Sequence, residues 1–303
     1  MELVIAVLGL AIVVTGLLDM FQTLLYPSGN GWLSTAVMRA VWWLSKLSGH
    51  RMRSASGAVA MMAVILMWLF LQVLGWALVY YPYVPEGFAY APNIDHTAYN
   101  DFAEAYYLSL VTIATLGFGD VVGTGPWLRF APALEAVAGF ALLTAALAWF
   151  SQVWPPLARR RSLAAELRAL GDAGVAGRLS TWDPVAATLT LRALARQLLE
   201  VRSDFTQHSE QFYFQEADPD TSLAKQLVHA VALRDAAQAS ADATVRDAGI
   251  HLGLALEDLA TTLARQFLSL EGDVDETIDA YHREHYRGVT PGSPRGRRAR
   301  GTR

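Results

Sequence analysis

The chain has 303 residues, 53% apolar and 17% charged, with a net charge of −4. That apolar share is high for a wholly soluble protein, and the slight negative charge gives no ground for nucleic acid as a partner. There is no cysteine, which excludes disulfides, thiolate metal sites and cysteine nucleophiles.

Apolar residues crowd the first half, and charges are sparse before Arg159. A membrane half followed by a helical soluble half is expected. The first apolar run, Leu3–Leu25, has the roughly 20 residues needed to cross a bilayer. It is too long for the apolar core of a cleaved signal, and Glu2 stands where a basic flank would be. Asp19, beside Gln22 and Thr23, is read as a structural carboxylate near the membrane interface. Gly31–Leu47 is short, rich in tryptophan and carries Arg39 and Lys46. It is expected to lie in the interface as an amphipathic helix, and a fourth crossing is the alternative. Gly57–Tyr80 is charge-free and apolar on every face, as a second span should be.

Asp101–Ala114 reads as a helix too short to cross, leading into Thr115-Leu116-Gly117-Phe118-Gly119-Asp120. The third span, about Trp127–Trp154, contains Pro132, Glu135 and Gly139. Pro132 is expected to bend it and Pro155-Pro156 to end it. An intramembrane carboxylate such as Glu135 is a functional candidate by default, either hydrogen-bonded or protonated in a helix contact. Gly139 is readable as a packing glycine that lets helices approach closely. Arg39, Lys46, Arg51 and Arg53 follow the first span, and Arg159-Arg160-Arg161 follows the third. No lysine or arginine lies between Ser54 and Leu128, where Glu86, Asp95, Asp101, Glu104 and Asp120 occur. Positive residues stay on the cytoplasmic side. The N-terminus and Tyr81–Pro126 are therefore expected outside, and the C-terminal half inside, with the arginine run an anchor at the headgroups.

Beyond Ser162 the chain reads as helical, with breaks at Gly171–Gly177, at Asp218-Pro219-Asp220 and near Gly272. Ser180–Pro184 is a helix start, and Leu191, Leu194, Leu198, Val201 and Phe205 form one apolar seam. His282, Glu284 and His285 are expected to be solvated rather than metal-binding. The basic Arg287–Arg303 tail is expected to be disordered and to touch anionic lipid. No dinucleotide-binding glycine pattern follows a strand in the C-terminal half, and no membrane helix carries the arginine stripe of a voltage sensor, so no cytoplasmic regulator is named.

The segment from Thr115 to Gly119 has a physical logic. Backbone carbonyls can replace the hydration shell of a potassium ion if successive residues aim them at one axis. Gly117 and Gly119 tolerate the positive φ this demands, while Leu116 and Phe118 would project away from the axis. One chain supplies a quarter of such a ring, so four copies are expected. With these residues in place, the stretch Gly57–Trp154 resembles the potassium channel family. Trp127 and Arg129 match the tryptophan–x–arginine of its prokaryotic two-helix members, and Gly139 falls at the position of its gating glycine. The resemblance implies that Thr115, Leu116, Gly117 and Phe118 present the oxygens that coordinate K⁺, with Gly119 completing the outer mouth and Asp120 hydrogen-bonded behind it. Tyr106 and Tyr107 then stand in the aromatic cuff, and Val111 where some relatives carry a buried glutamate. Phe118 departs from the commoner tyrosine, which removes a bracing hydroxyl.

The resulting expectation is an all-α membrane protein. Residues 1–56 form a span and an interfacial helix, 57–156 the pore domain with its re-entrant helix and filter, 157–287 a helical cytoplasmic domain, and 288–303 a basic tail. The expected function is passive potassium conduction by a homotetramer in the cell membrane, without enzymatic activity or cofactor. A nonselective cation channel and a membrane-tethered sensor with a silent pore are the alternatives.

Overall fold

A computed structural model describes residues 1–26, 31–47, 55–92, 94–95, 100–216 and 218–285. Arg51, Arg53 and the Arg287–Arg303 tail, all assigned roles above, lie outside the described residues. Among the described residues the fold is all-α apart from one small hairpin, and three helices are long and apolar enough to cross a membrane. The chain divides into two compact units. One comprises residues 1–158 together with 204–214, and the other 159–203 with 215–303.

In the first unit, α1 (Glu2–Leu25) packs along α3 (Ser56–Tyr80). Lipid tails are as apolar as leucine, so such a pair is held by close fit and polar contacts rather than by expulsion of water. Both are present. A Cβ on Gly9 would lie 2.5 Å from the Gly75 carbonyl oxygen, so the backbones touch where those glycines meet. Farther along, Gln72 donates from Nε2 to the Val13 carbonyl at 3.0 Å.

The helix α2 (Trp32–Leu47) buries Met38 and Trp42, while Trp32, Trp43, Leu44 and Leu47 remain exposed. At 16 residues it is shorter than a span requires. Its N-terminus is capped by a distant residue. Asp19 of α1 accepts from the Leu33 N–H at 2.9 Å, the Ser34 N–H at 3.2 Å and the Ser34 hydroxyl. The same carboxylate accepts from Trp68 Nε1 on α3 at 2.8 Å. Asp19 is thus structural and fully buried, tying three helices together at one point.

After α3, a two-stranded antiparallel hairpin pairs β1 (Phe88–Tyr90) with β2 (Val121–Gly123), Ala89 facing Val122. Between them lies α4 (Asp101–Ile113). Nothing in the apolar pattern announces these strands, because three residues are too few for an alternation to register. The unit's core gathers Val13, Trp76, Tyr80, Phe88, Leu108 and Leu128 around α4.

The long helix α5 (Pro126–Asp172) corrects the expectation that Pro155-Pro156 ends the third span, since it runs through both prolines. Proline's φ is itself helical, and what it removes is one backbone hydrogen bond. Trp149, Val153 and Leu157 are all buried at four-residue spacing across the interruption. Burial of that stripe on both sides outweighs the missing bonds.

The second unit is a helical bundle. It contains α6 (Val175–Arg178), α7 (Pro184–Gln207, whose last residues belong to the first unit), α8 (Leu223–Gln238), α9 (Ala243–Leu263) and α10 (Val274–His285). Asp183 caps α7 by accepting from the Ala186 N–H at 2.9 Å. The seam Leu191, Leu194, Leu198, Val201 and Phe205 is buried throughout. The chain breaks where glycine permits: Gly174, at φ +63°, separates α5 from α6.

Two expectations fail in this unit. Arg160 is not a headgroup anchor but is buried, its guanidinium 3.0 Å from Glu216, with Arg161 2.9 Å from the same carboxylate. A guanidinium pairs with a carboxylate more readily than it stays unpaired in a protein interior. His285 of α10 is not solvated either, and His282 is half-buried. His285 is buried against the Tyr281 ring at 4.6 Å, and His282 Nδ1 lies 3.2 Å from the Ala224 carbonyl. Packing of α10 on α8 and α9 covers them. Among the described residues no group of three or more potential ligands could hold a metal ion.

Candidate functional site

The stretch from Asn100 to Gly125 concentrates the unusual backbone of the first unit. Asn100 caps α4 by accepting from the Ala103 N–H at 2.8 Å, and Asp101 and Glu104 add negative charge to its first turn. Both arrangements favour the helix dipole. At the other end α4 closes on its own sequel. The Thr115 N–H donates to the Thr112 carbonyl at 2.9 Å, and the Leu116 and Gly117 N–H groups both donate to the Val111 carbonyl, at 3.0 and 3.5 Å.

Those bonds use up N–H groups and leave carbonyls. Among the described residues, the carbonyls of Thr115, Leu116, Gly117, Phe118 and Gly119 accept no hydrogen bond. The backbone also alternates in hand: φ is +56° at Thr115, +53° at Gly117 and +74° at Gly119, and not positive at Leu116 or Phe118. A Cβ at Gly117 or Gly119 would meet nothing within 4 Å, so conformation rather than space requires glycine there. Thr115 was not singled out for this backbone. A β-branched residue at positive φ carries about 1–2 kcal/mol of strain, and such strain gathers at functional positions.

The segment is pinned at its far end. Tyr107 donates its hydroxyl to Asp120 Oδ2 at 2.7 Å, and the Asp120 carbonyl accepts from the Ala91 N–H at 2.8 Å. The hairpin then binds the chain leaving the segment to the chain that precedes α4. Tyr106 stacks loosely on Phe102, centroids 6.3 Å apart, and Val111 is buried. Acidic groups surround this end. Burial raises the Tyr90 hydroxyl above its usual range, and Glu104, Asp101 and Glu86 push it further.

Behind α4 stands Glu135, fully buried. It accepts from the Tyr80 hydroxyl of α3 at 2.7 Å and from the Ser109 hydroxyl of α4. Three helices therefore meet on one carboxylate. Its partners were not foreseen, because a tyrosine 55 positions and a serine 26 positions away carry no local signal of their pairing.

Gly139 lies against the last turn of α4, where an added Cβ would come 2.1 Å from the Ile113 carbonyl oxygen. The obstacle is backbone and cannot swing aside. Gly139→Ala is expected to displace α4 from α5 and lower the melting temperature of the purified protein. An unchanged melting curve would leave Gly139 without this packing role. A cavity of about 380 Å³ also opens beside the segment, lined by Thr112, Thr115, Gly117, Gly119, Arg129 and Pro132 among others.

A short capped helix and a hand-alternating turn lie between two helices long and apolar enough to cross a membrane. Residues 63–154, from within α3 to within α5 and less than half of the chain, match the family described as ion channel. That segment is similar to an ion channel domain, and together with the apolar helices it points to ion transport at a membrane. No curated protein and no solved structure matches it.

Proposed function

We propose that the chain is one subunit of a homotetrameric, potassium-selective channel in the cell membrane, with Thr115, Leu116, Gly117, Phe118 and Gly119 as its selectivity filter. The observation that carries this reading is the run of carbonyls from Thr115 to Gly119, all without a hydrogen-bond donor, on a backbone alternating in hand. That alternation turns successive carbonyls to one side, where oxygens can replace the hydration shell of K⁺. In this reading α4 is the re-entrant pore helix, its negative C-terminal end directed at the conduction path. Irregular backbone at that depth requires a protein or aqueous surround.

The exposure of Leu116 and Phe118 in a single chain supports assembly around an axis, since neighbouring subunits would cover both. Phe140, Leu143 and Leu147 of α5 are likewise exposed and apolar. Ion channel domains commonly work as oligomers, and a filter segment contributing a quarter of the ring specifies four. Asp120 and Tyr107 brace the filter, with Tyr106 and Val111 filling the space behind it. The acidic stretch around Asp101 faces outside and concentrates cations. The C-terminal unit lies in the cytoplasm, and α2 rests in the cytoplasmic leaflet with its exposed tryptophans among lipids. Channel function asks for no cofactor and no catalytic group.

The test is ion flux from purified protein in liposomes loaded with potassium against external sodium. Flux that is strongly potassium-selective and blocked by barium is expected. Gly117→Ala meets no steric obstacle but forces alanine to a positive φ at a cost of about 1 kcal/mol. It is expected to assemble normally and to lose conduction or selectivity. Equal passage of sodium in the unaltered protein would make it a nonselective cation channel. Undiminished selectivity in Gly117→Ala would remove the filter assignment.

A further inference from the structure

The residues 204–214 return from the C-terminal half of the sequence to pack within the first unit. They are held at their C-terminal end. Tyr213 accepts at its carbonyl from the Ser56 hydroxyl at 2.7 Å, and the Phe212 and Tyr213 rings each lie 5.9 Å from Trp42. Just before these anchors Glu210 is buried, 3% exposed, against α5. Trp149 of α5 donates from Nε1 to Glu210 Oε1 at 3.0 Å, and His208 Nδ1 lies 3.5 Å from the same oxygen. Trp149 in turn packs on Trp68 of α3, ring centroids 5.6 Å apart.

Glu210 Oε2 has no donor among the described residues. Glu210 and His208 both line a cavity of about 170 Å³ with Thr23, Tyr26, Trp149 and Gln152. Such a volume holds roughly five waters at ~30 Å³ each, so protons can reach both groups. Other ionisable groups lie near the pair. Tyr26 is on the cavity wall, and Asp204 accepts the His208 N–H at its main-chain carbonyl at 2.7 Å. Tyr213 lies beyond with Arg39 beside it, while α5 presents only the non-ionising Trp149 and Gln152.

We infer that His208 and Glu210 form a proton-responsive latch on the inner end of α5. Histidine changes charge within the physiological range, whereas neighbouring tyrosine and arginine do not. When His208 takes a proton, the imidazolium and the Glu210 carboxylate pair, and the carboxylate is held where Trp149 donates to it. When His208 loses that proton, a buried carboxylate is left without its cation and turns toward the aqueous cavity. Trp149 then loses its acceptor, and α5 is freed from residues 204–214. Acid therefore secures the arrangement described here and alkali releases it. Because α5 also carries Glu135 and Gly139 behind the filter, release alters ion flux, a consequence that rests on the channel reading above.

The experiment uses the full-length protein with 5-fluorotryptophan, its Trp149 resonance identified by disappearance in Trp149→Phe. Fluorine NMR is recorded from pH 8.5 to 5.5, alongside potassium flux from liposomes with the pH varied on the side of the C-terminus. The Trp149 resonance is expected to titrate within this range, and flux to change about fivefold or more across it. In His208→Gln both responses flatten. Glu210→Gln, which keeps an acceptor for the indole, also loses the titration. A Trp149 resonance that does not move, or that moves equally in His208→Gln, overturns the latch. A titrating resonance with pH-independent flux overturns its coupling to conduction. A titrating resonance in protein that passes no ion at any pH supports the latch and counts against the channel reading instead.

Discussion

Glu135→Ala is expected to lower the melting temperature of the purified protein markedly and to abolish ion flux. Among the described residues the carboxylate is the acceptor for the hydroxyls of Tyr80 and Ser109, both fully buried. Leaving two such donors unpaired costs about 1–3 kcal/mol each. The loss falls on the contact that sets α4 against α3 and α5. Glu135→Gln keeps one carbonyl acceptor, and its amide can donate to a hydroxyl that turns its own proton away. It should therefore retain most of the stability, with Tyr80→Phe close behind, because it removes one donor without stranding another. Thermal melts of the three variants check this ordering. An alanine variant as stable and conductive as the unaltered protein would show that α4 is held by other means.

Asp19→Ala carries the second large effect. Removing this carboxylate leaves the Trp68 indole N–H buried without its acceptor and uncaps α2 at Leu33 and Ser34. An unsatisfied buried donor costs about 1–3 kcal/mol, and loss of a helix cap about 1 kcal/mol more. Undocking of α2 should follow, exposing Met38 and Trp42 and making the 27–56 region a site of rapid proteolysis. Asp19→Asn is expected to be only partly better, since its amide group would face donors. Limited proteolysis with mass mapping of the first cuts is the measurement. Cleavage between α1 and α3 no faster than in the unaltered protein would remove Asp19 from its role in docking α2.

Legibility in the sequence followed the range of each interaction. The spans α1 and α3 lie within a residue or two of their expected ends, because a bilayer selects for a long apolar run and any single window reveals it. The helix α4 was equally local, as was the start of α7 at Asp183. Pro155-Pro156 misled because a proline's effect depends on what the helix buries on either side, here Trp149, Val153 and Leu157. Arg160 misled for a related reason: its partner Glu216 lies 56 residues away, and an arginine run beside a span looks the same whether or not one of its members is paired.

The hydrogen-bonding carboxylates show the boundary most clearly. Asp19 and Glu135 could be recognised as costly residues inside apolar helices, since charge in hydrocarbon demands a partner. Their partners, Trp68 with Ser34 and Tyr80 with Ser109, are ordinary residues with no local mark. The same holds for Trp149 and Glu210, which meet only because residues 204–214 fold back into the first unit.

By itself, the amino-acid sequence determined that this protein has three apolar helices able to span a membrane, a short helix between the last two, and glycines at 117 and 119 where the backbone takes positive φ. Each follows from hydropathy, length or the lack of a Cβ within a few consecutive residues. Only the tertiary structure decided which buried polar groups pair, that α5 continues past its prolines, and that Thr115 joins the alternating backbone. Those outcomes depend on free energies shared among segments far apart in the chain, which exist only once the helices have packed.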